Sequence, residues 1–184
     1  EAGFKLDLLD QQLRLNGAVF WYGYEDQQFL NVDTETAAQQ LVNVPESTIY
    51  GAELEATYNL SDRVRFDASA ALLQSEIDNG ALNGVNLAGN ALPLAPEFTL
   101  NLGVTWQVAS VSYGEVILRV DGNYAASQYF DVFNDRETQQ DSRAIGNARL
   151  TLRPKDRTGI EVELWTKNFT DEEYRTSMIN LLDN

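Results

Sequence analysis

The chain contains no cysteine and no histidine. A zinc site of the common Cys/His kind is therefore excluded, and so is a catalytic triad built on imidazole. Basic residues are scarce: 13 Lys and Arg stand against 28 Asp and Glu, for a formal net charge of −15. A nucleic-acid partner needs clustered cations to meet phosphate, and a peripheral anchor needs them to meet lipid headgroups. The charge balance argues against both. No run approaches the ~20 apolar residues of a membrane helix. No secretory signal precedes Glu1, from which a processed or truncated chain is expected. The 184 residues are enough for one ordinary domain.

What the sequence does have is alternation. Phe4, Leu6 and Leu8 alternate with Lys5 and Asp7, and Leu13, Leu15, Gly17, Val19 and Trp21 alternate with Arg14, Asn16, Ala18 and Phe20. The same period of two runs through Tyr50–Tyr58, Val64–Leu72, Phe98–Trp106, Val116–Tyr124, Ala144–Leu152 and Ile160–Lys167. One face of each run carries no charge. The other carries Glu53, Glu55, Arg65, Asp67, Arg119, Asp121, Arg149, Glu161, Glu163 and Lys167. Strict alternation identifies half-buried β-strands, and the apolar positions never settle into helical spacing. At most one helical turn is expected, around Thr170–Arg175.

The connections alternate too. Short turns are expected at Leu9–Gln12, Leu60–Arg63 and Pro154–Gly159, with a somewhat longer one at Gln107–Gly114. Between them lie long polar loops at Glu25–Ser47, Gln74–Glu97 and Ala126–Asp141. Short turns on one side and long loops on the other are the pattern of an up-and-down barrel in an outer membrane. Trp21, Tyr50, Phe98 and Tyr124 fall near one rim; Tyr58, Phe66 and Trp106 fall near the other, as in two aromatic girdles. A soluble sandwich would also give each strand one apolar face. Strand length, loop alternation and long loops without apolar anchors favour the barrel. The fold class expected is therefore all-β: an antiparallel, up-and-down, transmembrane β-barrel segment.

Chemistry is sparse. Glu53/Glu55 and Glu161/Glu163 share strand faces at i, i+2, the spacing of ordinary lining carboxylates rather than a glycosidase pair. Asp131, Asn134 and Asp135 form an oxygen-rich loop without EF-hand spacing, and a solvated loop is expected there. Gly80, Gly84 and Gly89 follow no phosphate-binding pattern and suggest loop flexibility. No enzyme, no metal site and no cofactor is expected.

Several stretches, taken in order, resemble TonB-dependent outer-membrane receptors. Ser47–Ala56 is similar to their G-x-E-x-E strand, and Leu92–Phe98 to a P-x-x-P approach to the next strand. Tyr124, Tyr129, Phe130, Asp131 and Asn134 resemble the aromatic and polar run after a later strand. Asn147–Leu150 and Leu164–Tyr174 resemble the family's ending. The resemblance implies about eight strands of a barrel of ~22. Residues 1–184 would be a C-terminal portion of that barrel, with the plug domain and the final strand absent. It implies the outer membrane of a Gram-negative bacterium, with lipid around the barrel. It further implies uptake of a scarce nutrient, most often a ferric siderophore, energised by TonB through the missing plug. Ligand contacts would then come from Tyr22, Tyr24, Tyr129, Phe130 and Asn134, at the outer end. Two other readings stay open: a small structural or adhesive eight-stranded barrel, and a soluble carbohydrate-binding β-sandwich.

Overall fold

The computed structural model describes residues 1–32, 39–155 and 160–178. In chain order the strands are β1 (Ala2–Leu8), β2 (Leu13–Val32), β3 (Gln39–Ser61), β4 (Val64–Asn79), β5 (Ala81–Leu82) and β6 (Val85–Asn86). They continue as β7 (Phe98–Val111), β8 (Gly114–Ala125), β9 (Gln128–Tyr129), β10 (Gln139–Gln140), β11 (Arg143–Pro154) and β12 (Val162–Thr166). One antiparallel sheet holds eight of them in the order β1-β2-β3-β4-β7-β8-β11-β12, each beside its predecessor in that series. The remaining four form two small hairpins, β5–β6 and β9–β10, inside the long connections.

The register keeps the two faces apart across the sheet. One apolar row runs Leu6, Leu15, Ala56, Ala68, Leu102, Gly122, Gly146; the next runs Leu8, Leu13, Tyr58, Phe66, Val104, Val120, Ala148. A slip of one residue in any pair would turn a whole strand inside out, so the alternation fixes the pairing. Among the described residues no second layer covers this apolar face. Trp21 is 64% exposed, Leu102 53% and Leu164 69%. A sandwich would bury these side chains against another sheet, whereas the wall of a membrane barrel turns such a face outward.

The polar face is tied together by ion pairs within and between strands. Asp7 pairs with Arg14 at 2.8 Å, Asp67 with Arg65 at 2.6 Å, and Glu161 with Arg153 at 2.6 Å. Arg119 lies between Asp67 and Asp121, at 3.7 and 3.5 Å. An amide ladder continues the row: Asn123 donates to Asn101 at 2.7 Å, and Asn101 to Ser69 at 3.1 Å. Exposed pairs of this kind add little stability each. Their effect here is to orient the side chains that line the polar side.

Strand lengths depart from the sequence reading. Glu25–Ser47 is not simply a loop: β2 reaches Val32 and β3 begins at Gln39. With 23 residues, β3 would stretch about 75 Å at ~3.3 Å per residue, far beyond the hydrocarbon layer that ~9–11 tilted residues cross. The β2–β3 pair therefore projects as a ribbon past the rim. It bends where Asp26 takes φ 53° and where the β3–β4 register shifts at Glu46/Ser47. The turn expected at Gln107–Gly114 is also shorter, because β7 runs to Val111 and a register shift at Gln107/Ala109 absorbs the extra residue. Leu60–Arg63 contracts likewise, since β3 runs on to Ser61. Residues 156–159 of the turn expected at Pro154–Gly159 lie outside the described residues. Thr170–Arg175 forms no helical turn. Asn168 and Asp171 adopt left-handed backbone, φ 50° and 55°, and turn the chain away from strand geometry.

The exposed apolar face generates a test. In the intact protein, Leu54→Arg and Leu102→Arg are expected to impair assembly, at a cost of ~2–4 kcal/mol per site near mid-bilayer. Glu55→Gln, on the polar face, should assemble normally. Heat-modifiability on gels reads the outcome, and equal assembly of all three variants would reverse the assignment of faces.

Candidate functional site

The polar face changes character at the end remote from the short turns. Three cross-strand rows show the change: Phe20–Gly51–Leu73, Tyr22–Ile49–Ser75 and Tyr24–Ser47–Ile77. Lower positions of the same face hold Glu53, Glu55 and Asp67; these hold aromatic, small and aliphatic groups. Phe20, Tyr22 and Tyr24 recur every second residue and so project from one side of β2. Their rings form a ladder with centroids 5.6 and 6.2 Å apart. Tyr22 Oη also donates to the Glu1 carboxylate at 3.1 Å.

Gly51 explains part of this geometry. A Cβ there would collide with the Leu72 carbonyl oxygen, and the Phe20 ring occupies the space above. The glycine of the G-x-E-x-E stretch is thus where the aromatic ladder crosses a neighbouring strand. Phe4 over Gly17 and Phe169 over Gly146 repeat the arrangement elsewhere. A ring laid across a strand glycine restores packing that the missing side chain gives up.

The long connections fold over the row at Ile77. Val44, Ile77, Leu87, Leu92 and Val132 form the buried hydrophobic cluster of the described residues, with Val44 2% and Ile77 0% exposed. Phe29, Ile49, Leu82, Ala95 and Phe133 pack around it. This overturns the expectation that the long loops lack apolar anchors. Leu87, Leu92 and Val132 recur at neither strand nor helix spacing, so no periodic pattern marks them.

The glycines of the β4–β7 connection are structural rather than flexible. Asn83 and Gly84, at φ 51° and 81°, form the two-residue turn between Leu82 and Val85, the geometry an Asn-Gly hairpin prefers. The loop then returns to β4: the Gly89 N–H donates to the Ile77 carbonyl, and the Ile77 N–H to the Asn90 carbonyl. Asp131 accepts from the amides of Phe133 and Asn134 at 2.9 and 3.2 Å, so it shapes a turn. No grouping of three or more acidic side chains among the described residues is placed to hold a metal.

The five residues expected at a ligand mouth therefore fall into two groups at the same end. Tyr22 and Tyr24 lie on the β2 ladder. Tyr129, Phe130 and Asn134 lie in the β8–β11 connection, partly buried. The rows through Ile49 and Ser47 to Ser75 and Ile77 lie between them, and Ser75 Oγ accepts from the Leu92 N–H at 3.1 Å. Among the described residues no hydrogen bond or ring pair joins the two groups directly. Sequence reasoning missed Phe20, Asn90 and the aliphatic cluster.

Asp135 precedes a short 3-10 turn, Arg136–Thr138, without capping it through its side chain. Its carboxyl is held above its usual range, first by partial desolvation and then by the charges of Asp131 and Glu137. An acid whose pKa is raised on folding binds its proton more tightly in the folded loop. Loop stability is therefore lost as pH rises from the ordinary carboxylate value through the raised one, and the penalty is complete above it. Asp135→Asn is expected to slow hydrogen exchange in residues 126–142 at neutral pH and, after correction for intrinsic exchange, to flatten its dependence across the pH range in which the carboxyl ionises. Unchanged exchange at both ends of that range would contradict the repulsion.

A TonB-dependent receptor-like β-barrel family matches residues 1–170. A curated relative, "Probable TonB-dependent siderophore receptor PiuA" of Acinetobacter baumannii, is 25% identical over 96% of this chain and 23% of its own length. Among solved structures, the ferric yersiniabactin uptake receptor FyuA from Yersinia pestis superposes with TM-score 0.77 at 22% identity, over 97% of this chain and 25% of that one. The siderophore receptor PiuA from Acinetobacter baumannii gives 0.72 at 23% identity, over 96% and 24%. The copper transporter OprC gives 0.69 at 18% identity, over 94% and 25%. The chain spans about a quarter of the length of these relatives. With the family matching nearly all of it, and with an antiparallel meander of segregated faces, the chain belongs to the TonB-dependent receptors and represents part of their β-barrel.

Proposed function

We propose that this chain is a stretch of outer-membrane wall, with its outer mouth, from a receptor that imports a ferric siderophore using energy delivered through TonB. The observation that carries the reading is the outer end of the polar face. There an aromatic ladder and a folded loop cap replace the charged lining found lower down. Flat rings with polar tips suit a bulky, partly aromatic chelate, and Tyr22, Tyr24, Tyr129 and Phe130 are the contacts we assign. The iron chelate as cargo rests on the names of the siderophore-receptor relatives; the copper transporter among the neighbours makes copper the natural rival. Strands β1 and β12 are edges of the sheet, and further strands of the same barrel would pair with them in lipid.

Orientation and transport are both measurable in the full-length protein. With Asn83→Cys, an impermeant maleimide should label intact cells. With Asp62→Cys, labelling should require an opened outer membrane. Uptake of radiolabelled ferric siderophores, copper and cobalamin should then be compared in cells with and without TonB. Ferric siderophore uptake that disappears without TonB is the expected result, with Tyr22→Ala and Tyr129→Ala each weakening it. Uptake indifferent to TonB would overturn the importer reading; copper-only uptake would overturn the iron assignment and leave the family intact.

A further inference from the structure

The β4–β7 and β8–β11 connections grip each other through two asparagines. Asn90 Nδ2 donates to the carbonyls of Val132 and Phe133, at 2.8 and 3.1 Å. Asn134 returns the grip. Its Oδ1 accepts from the Ala91 N–H at 2.7 Å, and its Nδ2 donates to the Ala91 carbonyl at 3.0 Å. A primary amide that donates to and accepts from one backbone unit imitates a neighbouring β-strand. The seam then continues as true backbone pairing, from the Leu94 N–H to the Tyr129 carbonyl at 2.9 Å.

The seam lies against the buried cluster of Ile77, Leu87, Leu92 and Val132. Asn90, Ala91 and Asn134 are half-buried there, so water replaces a lost partner only in part and each bond is costly to leave unmade. Asn134 sits at φ 60°, in left-handed backbone that asparagine tolerates better than most residues. Its amide is also committed: both its oxygen and its nitrogen are engaged by Ala91. That commitment fits a part in holding the loops better than direct contact with a ligand.

We propose that Asn90 and Asn134 are positioning residues that fuse the two connections into one rigid cap, holding Tyr129 and Phe130 ready for capture. The capture part rests on the receptor reading above; the fusion of the loops does not. Two loops held as one lose less freedom on binding than two that move separately, which favours affinity over turnover.

The test uses the full-length receptor in detergent and in cells. Asn134→Gly keeps the left-handed backbone and removes the grip; Asn134→Asp keeps the acceptor and loses the donor. Hydrogen exchange of the unliganded receptor is expected to rise about tenfold in Asn134→Gly, and less in Asn134→Asp. The rise should appear at Ala91 and Leu94 on the opposite loop as well as at Phe130. Exchange that rises only within residues 126–142 would overturn the fusion. In cells, uptake of a radiolabelled ferric catecholate siderophore should show a half-saturating concentration raised about tenfold in Asn134→Gly. Maximal rate per assembled receptor should be unchanged, and Asn134→Asp should lie in between. Coupled exchange with an unshifted half-saturation would overturn the positioning role. If the wild-type receptor takes up no ferric catecholate, the receptor reading fails for that cargo and the capture role with it, while exchange still decides the fusion.

Discussion

Every backbone amide that crosses a bilayer needs a hydrogen-bond partner within the protein, because hydrocarbon offers none. A strand meets that need only through its neighbours. The eight-stranded ladder is therefore the interaction on which the rest of this structure depends. Once the ladder is laid down, side chains have two destinations, and the period of two sends them there. The apolar rows of Leu6 and Leu8 run from β1 to β11, while Asp67, Arg119 and Asp121 gather on the other side. Cross-strand pairs such as Asp7 with Arg14 form because the register holds the partners close, while Arg65 with Asp67 and Arg119 with Asp121 pair two residues apart on one strand face.

Above the rim the constraint changes. Water can satisfy the backbone of a loop, so the chain is free to leave ladder geometry. It does so at positions where the backbone turns left-handed, such as Asp26, Asn83, Leu94 and Asn134. Freed from lipid, the outer segments bury their few aliphatic side chains in the ordinary way, against each other. The well-buried hydrophobic cluster of the described residues thus lies at the outer end, where the connections meet the tips of β3 and β4. A membrane-barrel wall needs no interior core, because lipid can take that place on an apolar face.

The family-like stretches acquire physical meaning in this frame. Gly51 yields space to Phe20 and to the Leu72 carbonyl. The segment after β12 closes on β11 through named contacts. The Phe169 N–H reaches the Gly146 carbonyl, the Gly146 N–H reaches Thr170 Oγ1, and Asn168 Oδ1 accepts from the Glu172 N–H. The Asn-Phe-Thr-Asp run is a strand terminator: asparagine and aspartate take the left-handed positions, and the hydroxyl substitutes for a missing ladder bond.

The strands, their faces and the antiparallel order of the wall were legible along the chain. Each of these depends on a period of two and on turn residues close along the chain. Tyr22 and Tyr24 could be placed on one side of one strand by the same rule. The cap was not legible along the chain, because its contacts form only between loops in space. Asn90 and Asn134 stand far apart in sequence and in different loops, and nothing periodic marks them; only the folding of both loops onto Ile77 brings each amide to the backbone of the opposite loop, Asn90 to Val132 and Phe133 and Asn134 to Ala91. The same holds for the ribbon beyond the rim, where pairing of Leu30 with Leu41 and Phe29 with Val42 extends strands through polar stretches that local composition marks as loop. Alternation is a local property and can be read along the chain; closure between loops is a property of distance in space and cannot.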